Sequence, residues 1–228
     1  MDEGLTALIA ASVAFVGSHF AMSHPLRAPM VSIFGEKLFP LVYSIVSFAA
    51  LWWMVQAFEG ASVGTPLWPG FGDVSWAFAA LLTWLAMVLL VGSLTPRNPS
   101  LPMPGAKDAA RAEPQGVFRV TRHPMMWAFA LWAISHLVAA PTARTLVVAT
   151  AILILALVGA RLQDRKKRAQ MGEAWAEFER RTSYWPRWER IFSAGLVAWV
   201  LGTILWLAAS WAHIPLGGQA AGVWRWLV

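Results

Sequence analysis

Residues 74–94 read VSWAFAALLTWLAMVLLVGSL, an unbroken run without Asp, Glu, Lys, Arg or His. At about 1.5 Å of rise per residue, a helix of this length covers the roughly 30 Å hydrocarbon core of a bilayer. No polar face recurs within it, so it is not the one-sided helix of a soluble domain. Working outward, Leu5–Met22, Leu38–Phe58 and Ile191–Ala212 meet the same requirement. Met125–Ala140 and Leu146–Ala160 are shorter and are separated by Pro141 and Arg144. A tight turn joining two antiparallel spans is expected there, with a hairpin that stops short of crossing as the alternative. The expected fold class is all-α: a polytopic helical membrane bundle of about six spans, forming a single transmembrane domain over residues 1–228.

The composition agrees. Apolar residues make up 58% of the chain and charged residues 13%, about half the charged share of a soluble domain. The net charge of +6 would suggest nucleic acid in a soluble protein. Here the basic residues lie between apolar blocks, so membrane lipid accounts for them and no nucleic-acid partner is expected. The absence of cysteine excludes disulfides, zinc–thiolate sites and thiol catalysis. Asp2 and Glu3 replace the basic region of a signal peptide, so the first apolar stretch is expected to be retained as a helix.

Charge placement sets an orientation. Sixteen of the 18 Lys and Arg residues fall in three stretches on one side: Arg27 with Lys37, Arg97 to Arg122, and Arg161 to Arg190. Arg144 and Arg225 are left on the other side. This split places the basic loops in the cytoplasm and both ends outside. Thr95–Gly116, with five prolines, reads as an irregular cytoplasmic loop. Arg161–Arg181 reads as the end of the fifth helix followed by an amphipathic helix lying near anionic headgroups. Tyr184, Trp185 and Trp188 read as an interfacial anchor, and Trp224 and Trp226 place the tail on the outer surface.

The spans hold almost no ionisable groups, so each polar side chain within them is conspicuous. His136 lies well inside the fourth span, after Trp132-Ala133-Ile134-Ser135. A neutral imidazole there can ligate a metal or haem iron, or carry a proton; the alternative is a helix–helix hydrogen bond. His19 lies near the cytoplasmic end of the first span, where contact with headgroups is the alternative. Two intramembrane histidines without an intramembrane carboxylate fit bis-imidazole haem ligation better than a proton relay. Arg122-His123-Pro124 marks the mouth of the fourth span. Proline is ordinary in a first helical turn, but Arg122 and His123 place two polar groups where an anion, carboxylate or phosphate can bind. His24 and His213, each near a proline at an interface, read as structural. Glu36 and Asp164 are expected at the cytoplasmic surface beside neighbouring bases.

Thr121-Arg122-His123-Pro124-Met125-Met126-Trp127, Trp132 to His136, Gly172-Glu173-Ala174-Trp175 and Arg181-Thr182-Ser183 together resemble the NnrU family. In the N-terminal half, His19, Pro25-Leu26-Arg27, Gly35-Glu36 and Tyr43-Ser44 agree with its pattern. The likeness runs over residues 17–186, leaving 187–228 as an additional C-terminal span and tail. That family holds bacterial membrane proteins linked to nitrite and nitric oxide metabolism, and includes plant zeta-carotene isomerase. The resemblance implies a protein of the bacterial inner membrane that binds haem b. It implies either redox-gated cis/trans isomerisation of a carotenoid-like polyene or a factor in nitrogen-oxide metabolism, with a lipophilic substrate and a membrane redox partner. By position it assigns His19 and His136 to the iron and Arg27 or Arg122 to the propionates. His123 becomes a neighbouring or alternative ligand which, with Arg122, stands nearest to any catalytic step. The plant cysteine three residues before the second histidine is Ala133 here, which removes a thiolate ligand.

From helix rise, the Cα atoms of His19 and His136 differ in depth by about 13 Å. Ligation by both therefore asks for a haem plane nearly parallel to the membrane or for a first helix set deeper, and His19 with His123 is the shallower pairing. Arg122-His123-Pro124 is also similar to membrane methyltransferases that bind S-adenosylmethionine. Their paired glutamates are replaced here by Arg161-Leu162-Gln163-Asp164. A non-catalytic assembly component is the third reading.

Overall fold

The computed structural model describes residues 2–95, 98–101 and 104–228. Arg97 of the basic count, and Pro96 and Pro102 of the proline-rich stretch, lie outside the described residues. No strand occurs among those described, and eight α-helices carry the fold: α1 Glu3–Ser23, α2 Arg27–Gly60, α3 Asp73–Ser93, α4 Ala106–Arg111, α5 Pro124–Ala139, α6 Ala143–Met171, α7 Glu173–Arg181 and α8 Leu196–Gly217. Short 3₁₀ turns occupy Gly116–Arg119, Trp188–Ala194 and Gly222–Trp226. Helices α1, α2, α3, α6 and α8 are long and apolar enough to cross a membrane, and α5 is a shorter apolar helix. The protein is thus a multi-pass helical membrane bundle, with six apolar helices where six spans are expected.

Three local expectations are corrected. The second helix starts at Arg27 rather than Leu38, and is broken at Gly35, whose φ of 74° and ψ of 161° suit glycine alone. The proline-rich stretch contains the helical turns of α4. Most consequentially, α7 does not lay its apolar face on headgroups. Its Trp175 is 0% exposed and Phe178 2%; the two rings pack tilted against each other, and Phe178 meets Phe118 edge-on. Arg181 of α7 then donates to the carbonyls of Ala110 and Arg111 at the end of α4, where a helix leaves acceptors unsatisfied.

The contacts form two compact units, Met1–Gly70 with Ala140–Leu155, and Phe71–Ala139 with Ala156–Val228. In the first, Leu8, Ala11 and Phe15 of α1 pack on Met54 of α2 and on Val147, Val148 and Ile152 of α6. Arg144 stacks over Phe58 at 4.5 Å and donates to the Phe58 and Ala61 carbonyls. In the second unit, α5 and α8 both pack on α3. Gly202 of α8 allows the backbones to touch: a Cβ there would lie 2.8 Å from the Cα of Val88. Two indole bonds cross the same seam, Trp84 Nε1 to Thr203 Oγ1 at 2.8 Å and Trp206 Nε1 to Thr83 Oγ1 at 3.0 Å. Close backbones and buried hydrogen bonds are what hold helices together where lipid competes for apolar contact.

Candidate functional site

The stretch before α5 is fixed by backbone rather than by side-chain bulk. Arg122 N donates to Ser183 O at 2.8 Å, and Arg187 N donates to Val120 O at 2.8 Å. The Thr121 hydroxyl donates to the Ser183 and Tyr184 carbonyls and accepts from His123 N. Trp127 Nε1 reaches Tyr184 O at 2.8 Å. Residues 120–127 and 183–187 are thereby tied together, and Arg122 and His123 are held against the polar end of α6.

There Asp164 meets both. Arg122 forks onto the carboxylate, Nη2 to Oδ2 at 2.8 Å and Nε to Oδ1 and Oδ2 at 3.1 Å. His123 Nε2 lies 2.9 Å from Oδ1, and Nδ1 lies 3.3 Å from Gln163 Oε1. The side chains are 12%, 0% and 6% exposed for Arg122, His123 and Asp164, so this is a buried charge cluster, not a surface pair. Glu179 of α7 extends it, 3.6 Å from Arg122 and bonded twice to Arg168. Tyr184 covers the cluster, edge-on to His123 and with the Arg122 and Arg161 guanidiniums over its ring. Its hydroxyl donates to Leu157 O at 2.7 Å, and burial raises the phenol above its ordinary range.

Asp164 thus sits at the centre of a closed network, where sequence placed it at a surface. The anion expected opposite Arg122 and His123 is a carboxylate of the chain itself. Whichever way the Gln163 amide is turned, both nitrogens of His123 have partners, and no ring lone pair faces open space.

The intramembrane histidines differ. His136 Nδ1 lies 2.8 Å from Trp132 O, with the Trp132 ring tilted against it at 4.1 Å between centroids. His19 Nδ1 lies 2.7 Å from Phe15 O, between the rings of Phe15 and Tyr43. A carbonyl oxygen can only accept, so each Nδ1 carries the proton and each Nε2 keeps its lone pair. This is the arrangement by which a protein fixes an imidazole to ligate through Nε2. His213 has the same bond, to Ala209 O at 2.9 Å, and its ring centroid is 6.4 Å from that of His136. Sequence reading treated it as structural, and only the packing of both α5 and α8 on α3 brings the two rings near.

Within the second unit, the sequence-predicted His123 and His136 do not meet. His123 precedes α5 and His136 follows thirteen residues later, about 20 Å along the helix. Arg27 pairs with Glu36 at 3.3 Å and lies over Phe39; with Glu36 71% exposed, that pair opens easily, whereas Arg122 is committed. Ala133 is buried beside His136. Among the described residues, no three His, Cys, Asp or Glu side chains are grouped to hold a metal ion. A porphyrin, which brings four nitrogens of its own, asks only for one or two imidazoles such as His19 and His136. Their donor chemistry fits haem.

Known proteins place the chain further. The chloroplastic 15-cis-zeta-carotene isomerase of maize is 24% identical over 188 residues, covering 81% of this chain and 50% of that protein. The chain therefore spans about half the length of the curated relative it matches. No solved structure matches it. The family described as NnrU protein matches residues 7–221, nearly the whole chain from α1 to the tail. The chain is a member of the NnrU family.

Proposed function

We propose that this protein is a haem-dependent membrane isomerase that interconverts cis and trans forms of a carotenoid-like polyene. The observation that carries the reading is the fixed tautomer of His136, an imidazole within an apolar helix whose Nε2 lone pair is kept for a ligand. Family membership and the likeness to a plant carotene isomerase supply the reaction class. His136 is assigned to the haem iron, and His19 is the second imidazole with the same preparation. Bound haem would supply a redox-switchable Lewis-acidic centre.

The chain's own contribution is positional. Trp132 and the Nδ1 bond lock the His136 ring, and the apolar spans exclude water and admit a lipophilic substrate laterally from the bilayer. Arg27, through its exposed pair with Glu36, is the cation free to meet a propionate. The Arg122–His123–Asp164 cluster fixes the start of α5, and with it the helix that carries His136. Because Asp164 occupies both side chains, the methyltransferase reading loses the anion site on which it depended. Sixteen of the 18 Lys and Arg residues on one side support insertion in a bacterial inner membrane with the basic loops cytoplasmic.

The test is conversion. Haem-loaded protein in proteoliposomes, given 15-cis-zeta-carotene, changes the isomer pattern on chromatography, and His136→Ala does not. Equal conversion by the two proteins, or none by either, would remove the isomerase assignment.

A further inference from the structure

In the second unit α5 and α8 both pack on α3, and both begin just after basic residues, Arg122 for α5 and Arg187 and Arg190 for α8. Each carries a histidine near its other end. His136 lies three residues before Ala139 and His213 four before Gly217, so the two are about 5–6 Å from the ends of their helices. Both rings are fixed in the same way, with Nδ1 donating to the carbonyl four residues back, Trp132 O at 2.8 Å and Ala209 O at 2.9 Å. Each Nε2 keeps its lone pair and has no hydrogen-bond partner among the described residues. His123, by contrast, has a partner at both nitrogens. The rings of His136 and His213 lie 6.4 Å apart between centroids, with their planes inclined by 32°.

That separation is close to the one a shared metal ion sets. Metal–nitrogen bonds of about 2 Å, plus about 1 Å to each ring centre, put two imidazole centroids roughly 5 Å apart at a tetrahedral angle and about 6 Å apart when opposed. His213 is exposed, so a turn of its side chain that moves the ring by about 1 Å closes the difference. We infer that His136 and His213 together chelate a divalent transition-metal ion of the imidazole-binding class, Zn²⁺ or Cu²⁺, at the end of the second unit away from the basic loops. Imidazole selects these ions over Mg²⁺ and Ca²⁺, which take oxygen ligands. No third His, Cys, Asp or Glu is grouped with the pair among the described residues, so water completes the coordination and the ion is exchangeable. The inference uses the His136 tautomer on which the haem reading rests, but it needs no haem. One lone pair cannot serve two metals, so the ion and haem exclude each other at His136.

The test is calorimetric titration of the haem-free full chain, in detergent and without a histidine tag, with Zn²⁺ and with Mg²⁺ as the oxygen-preferring control. Saturable Zn²⁺ binding is expected in the wild type, with none for Mg²⁺. His213→Ala and His136→Ala should each weaken it at least tenfold, because one imidazole alone loses the advantage of two linked ligands. The exposed position of His213 keeps the first variant folded. Should His136→Ala not fold, Cu²⁺ bound to the wild type reports the ligands directly, its electron paramagnetic resonance spectrum showing coupling to two imidazole nitrogens. Equal Zn²⁺ affinity in the wild type and His213→Ala would overturn the inference. So would an absence of Zn²⁺ binding in the wild type, or Cu²⁺ coupled to a single nitrogen. A protein that shows a Soret band but fails these tests loses only the ion site; one that binds Zn²⁺ through both histidines but never haem loses only the cofactor reading.

Discussion

Removing the Asp164 carboxylate is predicted to destabilise the protein far more than removing any exposed ion pair. Asp164→Ala leaves the Arg122 guanidinium, 12% exposed, and His123, fully buried, without the oxygens that receive them. Breaking a buried pair by deleting one partner costs about 3–5 kcal/mol, because the remaining charge stays desolvated. Glu179, 3.6 Å from Arg122, keeps a second carboxylate near and places the expected loss at the lower end, about 3 kcal/mol. For a chain of this length that corresponds to a fall in Tm of roughly 6–12 °C. Arg180→Ala is the control: it deletes an exposed pair with Glu173 at 2.8 Å, with side chains 63% and 67% exposed, and should leave Tm unchanged within error. Thermal unfolding in one detergent, followed by tryptophan emission, reads both. Equal shifts in the two variants would refute the reasoning, since Asp164 would then be hydrated and its network a surface feature.

Two further outcomes follow from the packing and the titration. Gly202→Ala should lose about 1–3 kcal/mol of stability by forcing α8 off Val88 of α3, whereas Gly17→Ala, with open space at its Cβ, should be neutral or slightly stabilising; equal effects in the same melts would contradict the close seam. Burial raises the Tyr184 phenol above its unfolded value, so the stability it contributes is complete below about pH 10 and is lost as pH rises through the higher folded value. Tyr184→Phe should remove that alkaline loss, which stability measured against pH would show.

The spans were legible because bilayer thickness fixes a length and apolar composition marks it, so each helix predicted from residues 5–22, 38–58, 74–94, 125–140, 146–160 and 191–212 has a counterpart. The ends were less so. Arg27–Phe34 contains Pro29 and lies between the bases Arg27 and Lys37, so it reads as loop, and nothing local announces that it coils before Gly35 breaks the path. For α7 the period of Trp175 and Phe178 was correct and its partner was not. An amphipathic face records that something apolar covers it, without saying whether that is lipid or Phe118. The site divided in the same way. His19 and His136 stood out as polar residues in apolar runs, which is a local signal. Asp164, about forty positions from Arg122 and His123, carries no such mark, and its role emerges only when residues 120–127 are pinned alongside 183–187. His213 was passed over for the same reason, since its nearness to His136 depends on two helices sharing α3.

The central claim concerns His136 and the group it holds, and the reduced-minus-oxidised visible spectrum of the detergent-purified full chain, from haem-replete cells, tests it most directly. The account predicts a Soret band that shifts on dithionite reduction and is lost in His136→Ala, while Asp164→Asn, which perturbs the distant cluster, retains it. A colourless preparation, or a Soret band unaltered by His136→Ala, would contradict it.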